Sequence, residues 1–198
     1  MKYISTRDNK KTYNFIDTFL NGLAHDGGLY IPKKIPRLSK ITLKRLSKLN
    51  YNDLAYEIIK IYTGNTFSKN ELKKIIKNSY NKFDSNNVIK FSRVKKFNLV
   101  ELYHGPTLAF KDIAMQVIGN MYETILSKSK NKINLVTATS GDTGAAAIDA
   151  VKNKKNLRIF VLHPRGKVSI TQRKLMTTVN SKNVFNVAVK GSFDDCQT

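Results

Sequence analysis

Lys111 sits in an unusual place for a lysine. The stretch HGPTLAFKD, His104 to Asp112, sets it behind a glycine-proline turn and the run Leu-Ala-Phe. There it opens the amphipathic segment KDIAMQVIGNMYETIL. The chain carries 28 lysines, nearly all in polar company, and a surface lysine needs no such setting. At a helix start the macrodipole disfavours positive charge, and burial against Leu108 and Phe110 would disfavour an ammonium further. A neutral amine in that position attacks aldehydes to form a Schiff base. The plainer alternative is an exposed lysine following a turn.

A second constellation lies in TATSGDTGAAAIDAV, Thr137 to Val151. An apolar strand runs into Ser140-Gly141-Asp142-Thr143-Gly144, and an alanine-rich helix follows at once. Glycines there let the backbone turn tightly and approach a ligand closely. N–H groups and hydroxyls at a helix start suit a carboxylate or phosphate. The pattern is neither GxGxxG nor GxxxxGK[ST], so no dinucleotide or Walker-type site is indicated. The alternative is a plain helix start with Ser140 or Asp142 as N-cap.

These residues need elements to hold them. Residues 12–23 place Phe15, Phe19, Leu20 and Leu23 on one helical face, and LAYEIIKIY (54–62) reads as a helix. Ser68-x-x-Glu71 is a capping box opening SKNELKKIIKNSY. The first 85 residues thus read as mainly short helices, a packing subdomain. After Asn86-Asn87 come β-favouring runs at 97–103, 133–139, 157–163 and 184–190. Helical stretches at 110–127, 144–153 and 169–180 alternate with them, the last opening on another capping-box pattern, Ser169-x-x-Gln172. That alternation predicts parallel βαβ units. A parallel sheet wants both faces covered, and FDDCQT supplies no terminal helix, so the sequence looks interrupted.

In order, spacing and surroundings the two constellations resemble the fold-type II pyridoxal-phosphate (PLP) enzymes. Their P-T-x-x-F-K-D-like segment holds the cofactor, and an S-G-N/D-T-G-like loop follows. HGPTLAFKD with ATSGDTGAAA resembles the threonine synthase family in particular. GLAHDGGLYIP (22–32) is similar to that family's opening signature, and HPRGKVS (163–169) and FDDCQ (193–197) to its later segments.

The resemblance implies an α/β chain: a helical subdomain, 1–85, followed by a partial parallel-sheet domain, 86–198, of tryptophan synthase β-like architecture. It implies conversion of O-phospho-L-homoserine and water to L-threonine and phosphate. Lys111 would bind PLP as a Schiff base and act as acid and base once freed. Asp142, where many relatives have Asn, would contact the cofactor's 3′-oxygen. Ser140, Gly141, Thr143 and Gly144 would bind the substrate carboxylate, and Arg165 and Lys167 are candidates for the leaving phosphate. Thr107 would shape the turn, Phe110 would pack, and His104 would be structural. Family members are longer, so the residues holding the PLP phosphate and pyridine nitrogen are expected beyond residue 198, and these residues alone are expected to bind PLP poorly. Alternatives are another fold-type II lyase such as a threonine dehydratase, and a non-catalytic relative binding phosphorylated metabolites.

Composition bounds these readings. Hydrophobic residues make up 41% and charged residues 25%, which is globular rather than disordered. No apolar run approaches membrane-helix length, and the N-terminus lacks a signal-peptide core. A single cysteine, Cys196, allows no intrachain disulfide and suggests no metal cluster. A cytoplasmic setting is expected, with no membrane partner. The formal charge of +21 suggests nucleic acid at first. Yet the lysines are scattered, Lys outnumbers Arg 28 to 7, and 20 Asn and 18 Ile accompany them. That combination is what AT-rich codons produce, so no nucleic-acid partner is expected.

Overall fold

The computed structural model describes residues 1–84 and 87–197, and the chain packs as two units, Met1–Lys77 and Asn78–Thr198. The boundary predicted between 85 and 86 falls on Ser85 and Asn86, outside the described residues. No helix among the described residues is long and apolar enough to cross a membrane.

In the first unit two three-residue strands, β1 (Tyr3–Ser5) and β2 (Tyr30–Pro32), pair antiparallel. Around them lie α1 (Phe15–Asn21), α2 (Lys40–Leu46), α3 (Tyr51–Thr63) and α4 (Lys69–Tyr80), which runs on into the second unit. Side chains start the first three helices: Asn14, Ser39 and Asn50 each accept from a first-turn N–H. The predicted capping box opens α4, with Ser68 N–H donating to Glu71 at 2.8 Å and Glu71 N–H to Ser68 Oγ at 3.3 Å. Leu72, Ile75 and Ile76 of α4 are buried with Tyr3, Leu46 and Phe67. GLAHDGGLY folds as a structural turn. Asp26 accepts from Ser5 Oγ and from Gly28 N–H, both at 2.8 Å, and these bonds hold its carboxyl below the usual range. A side chain on Gly28 would collide with Ser5 Oγ, which accounts for glycine there.

The second unit carries the α/β architecture. β5 (Ile133–Ala138), β6 (Leu157–Pro164) and β7 (Val184–Val189) form a parallel sheet in the order β5-β6-β7. The helices α6 (Asp142–Val151) and α7 (Ile170–Thr177) connect them, α5 (Asp112–Ser129) precedes them, and a short 3-10 helix spans Asp194–Cys196. The run at 97–103 does form a strand, β4 (Phe97–Glu101), but outside this sheet. It pairs antiparallel with β3 (Lys90–Val94) across the two-residue turn Lys95-Lys96. Lys95 adopts a φ of 53°, the positive-φ geometry such tight hairpins favour.

On one face of the sheet Leu157, Ile159 and Val161 of β6 are buried. The opposite face leaves Val136, Phe185 and Val187 exposed, with Phe160 stacked on Phe185 at 4.8 Å. Helices α5 and α6 approach closely through Gly119, where a Cβ would run into the Ala150 carbonyl. Backbone cannot give way as a flexible side chain can. Gly119→Ala is therefore expected to cost about 1–3 kcal/mol by overpacking, measured as a lower urea midpoint with unchanged slope.

Candidate active site

The turn before α5 is built around Asp112, which is fully buried. Its carboxylate accepts from Thr107 N–H at 2.8 Å and Thr107 Oγ1–H at 2.7 Å. Gly105 packs so tightly on it that a Cβ would sit 2.5 Å from the Asp112 Cβ. Burial pushes the Asp112 carboxyl above its usual range, against the downward pull of the Thr107 bonds. The expectation that Thr107 shapes the turn holds.

Two other expectations for this turn do not. Leu108 and Phe110 are 66% and 59% exposed and do not bury the lysine. The cause is the pinned turn: Thr107 and Ala109 face inward and are buried, so Leu108, at a φ of 58°, and Phe110 point outward. Lys111 becomes the N-cap residue of α5, half-buried, with Nζ 4.3 Å from the centroid of the Phe110 ring. Among the described residues no hydrogen bond joins Lys111 Nζ to the Ser140–Gly144 turn. His104 contacts Glu101 Oε2 through Nε2 at 3.0 Å, a structural link between β4 and the turn.

The second constellation lies at the carboxyl ends of the strands, where ligands of open parallel sheets bind. Gly141, at a φ of 148°, is the N-cap of α6, in place of Ser140 or Asp142. The capping hydroxyl comes from Thr139, which by sequence belongs to the end of a β-favouring run. Buried Thr139 Oγ1 accepts from Gly141 N–H and Gly144 N–H, both at 2.9 Å. Those two N–H groups are therefore taken, and Gly141 and Gly144 do not offer them to a substrate as expected. Gly144 instead lies against Thr139, Met176 and Val161 in the core. What remains at the helix start is the N–H of Asp142 and Thr143, which have no helical acceptor, with the Ser140 and Thr143 hydroxyls. Thr139→Val, which keeps the shape and removes the acceptor, is expected to cost about 1–2 kcal/mol. Faster amide exchange at Gly141 and Gly144 would register it.

Asp142 is exposed and accepts from Gln172 Nε2 of α7 at 2.7 Å. Arg165 and Lys167 stand exposed on the loop after β6, where Gly166 takes a φ of 73°. The Asp195 carboxyl is held below its usual range chiefly by the Ser192 N–H and hydroxyl, and further by the charge of Lys167. Thus the loops after β5 and β6 bring Ser140, Asp142, Thr143, Arg165 and Lys167 to one end of the sheet. A cleft of about 590 Å³ opens at the opposite end, among Lys132, Lys154, Lys155, Arg158 and Lys182. It gathers none of the predicted site residues.

Of the groups an aldehyde-bearing pyridine phosphate would need, this chain carries a primary amine at a helix start, Lys111, and an exposed carboxylate, Asp142. The start of α6 adds N–H groups and hydroxyls suited to an anion.

A family model described as "Threonine synthase N terminus" matches residues 2–80. The threonine synthase of Pseudomonas aeruginosa is 40% identical over 198 residues, covering 100% of this chain and 42% of that protein. The crystal structure of threonine synthase from yeast superposes with a TM-score of 0.92 at 40% identity, over 99% of this chain and 42% of that one. A PLP-bound threonine synthase from Brucella melitensis gives 0.91 at 37% identity, over 100% and 43%. The chain thus spans about two-fifths of the length of the relatives it matches. End to end in sequence and in backbone, it belongs to the threonine synthase family, as a counterpart of the N-terminal portion of those proteins.

Proposed function

We propose that the protein containing these residues is a PLP-dependent threonine synthase that converts O-phospho-L-homoserine and water to L-threonine and phosphate. The observation that carries this is the pinned turn of HGPTLAFKD, which presents Lys111 at the start of α5 in a chain similar to threonine synthases throughout. When bound, the cofactor supplies an electron sink that makes carbanions at the substrate accessible.

The chain's own residues do the rest. Lys111 holds the cofactor and, once released, moves protons at the substrate Cα and Cβ. A positioned amine of this kind contributes about 10²–10⁴-fold in rate. The N–H groups of Asp142 and Thr143, with the Ser140 and Thr143 hydroxyls, orient the substrate α-carboxylate. Asp142, which as a carboxylate only accepts hydrogen bonds, would hold the cofactor by accepting from a proton at its ring oxygen. Arg165 and Lys167 receive the phosphate as it leaves Cγ. The proton taken from Cβ is made up at Cγ, which becomes the methyl, and water then adds its hydroxyl at Cβ and gives its proton to the departing phosphate. The Arg165 fork matches phosphate oxygens and Lys167 adds a point charge.

Borohydride reduction in the presence of PLP, followed by peptide mapping, tests the assignment. A label on Lys111 is expected; a label only on other lysines would remove it. Product analysis separates the close alternative, since a dehydratase would release ammonia and a 2-oxo acid in place of threonine and phosphate.

A further inference from the structure

The loops after β5 and β6 are joined by one side chain. Gln172, on the first turn of α7, donates from Nε2 to Asp142 Oδ1 at 2.7 Å, across thirty residues of sequence. Its other end is also held: Ser169 Oγ donates to Gln172 Oε1 at 2.8 Å. The Asp142 carboxylate settles which end of the carboxamide faces it, because a flipped amide would set a second acceptor against it, and the Ser169 hydroxyl then donates to the oxygen that remains. The same Ser169 Oγ accepts from Gln172 N–H at 3.3 Å, so the α7 cap fixes the residue at both backbone and side chain.

Gly141 makes the room. A Cβ there would lie 2.5 to 2.8 Å from the carbon, oxygen and nitrogen of the Gln172 carboxamide. The amide thus rests on the bare backbone of the turn while it holds the carboxylate beside it. In a capping box the residue at this position reaches back to the N-cap N–H. Here the Gln172 side chain turns outward, to the neighbouring loop.

We propose that Gln172 is a positioning residue. It holds the Asp142 carboxylate and the Gly141 turn in the geometry that receives the cofactor, with Ser169 setting the direction of its amide. The proposal rests on the reading that Asp142 faces PLP. It also makes the loop carrying Arg165 and Lys167 one unit with the turn carrying Ser140 and Thr143. The Gln172 donor leaves Asp142 Oδ2 as the oxygen available to a ligand.

The test uses the full-length protein that contains these residues and borohydride trapping of Lys111 at limiting PLP, with melting temperature recorded for every variant. Gln172→Leu is expected to lower the Lys111 label about tenfold, the loss of one hydrogen bond to a charged group, with little change in melting. In an Asp142→Ala background the same substitution should change nothing further. Gln172→Glu sets an acceptor against an acceptor. Its label relative to wild type should recover as pH falls and a proton comes to be shared between the two carboxyls, a profile that a purely structural role would not give. Should Gln172→Leu fail to fold, Ser169→Ala keeps the glutamine packed and is expected to cost a few-fold in label. Equal labelling of wild type, Gln172→Leu and Ser169→Ala would overturn the positioning role alone. Absence of label from Lys111 in the wild type would overturn the PLP reading itself, and the inference with it.

Discussion

Replacing Lys111 by alanine is expected to abolish the trapped pyridoxal label and, in the protein that contains these residues, to lower threonine formation by at least about 10²–10⁴-fold. The label depends on a primary amine at this position. Rate depends on the same nitrogen carrying protons between substrate carbons, so two functions fail together. Lys111→Arg separates charge from chemistry. It keeps a cation of similar reach over Phe110, yet a guanidinium forms no comparable imine and does not deprotonate in proteins. It should therefore fail as completely as alanine. Both variants should melt close to wild type, because the side chain is half-buried at an N-cap that makes no side-chain capping bond. A Lys111→Ala protein that still formed threonine at the wild-type rate would end the catalytic assignment.

The largest stability effect is expected one residue further on. Asp112→Ala leaves the buried Thr107 N–H and hydroxyl without their acceptor. Each unsatisfied donor costs about 1–3 kcal/mol, so a total loss of about 3 kcal/mol is expected. For a chain of this size that lowers the melting temperature by roughly 6–12 °C. Asp112→Asn keeps one acceptor and should lose about half as much.

The pH dependence has a definite sign. Burial raises the folded-state pKa of Asp112 above its unfolded value, so the ionised form penalises the fold. That penalty is full above the folded pKa. It is relieved as pH falls through that value, and is gone below the unfolded pKa of about 3.9. Wild type should therefore gain stability relative to Asp112→Asn as the medium is acidified through that window. A difference that stayed flat, or ran the other way, would refute the account of Asp112.

Much of the fold was legible because its signals are local. The Ser68 and Ser169 helix starts, the apolar strands at 133–138, 157–164 and 184–189 and the helices between them follow from caps and periodicity within a few residues. Strands β1 and β2 are three residues each, too short to carry a period. Strand β3, KFSRV, is half polar and is defined by its partner across a lysine turn. At the candidate site, Lys111 and the Ser140–Gly144 turn stand out by composition. Three features do not. Leu108 and Phe110 face outward because a carboxylate behind the lysine pins the turn. The cap of α6 comes from Thr139, whose type reads as strand. Gln172 reaches Asp142 through a contact that exists only once two loops lie side by side.

The ring beneath Lys111 has a kinetic meaning. A lysine ammonium over an exposed aromatic face is held by only about 0.5–1 kcal/mol, a two- to five-fold bias among rotamers. Phe110 therefore acts as a light mooring: it keeps the nitrogen from sweeping the full reach of its four-carbon stem, yet lets go at almost no cost. Readiness at this helix start comes from a side chain loosely berthed on a rigidly anchored turn.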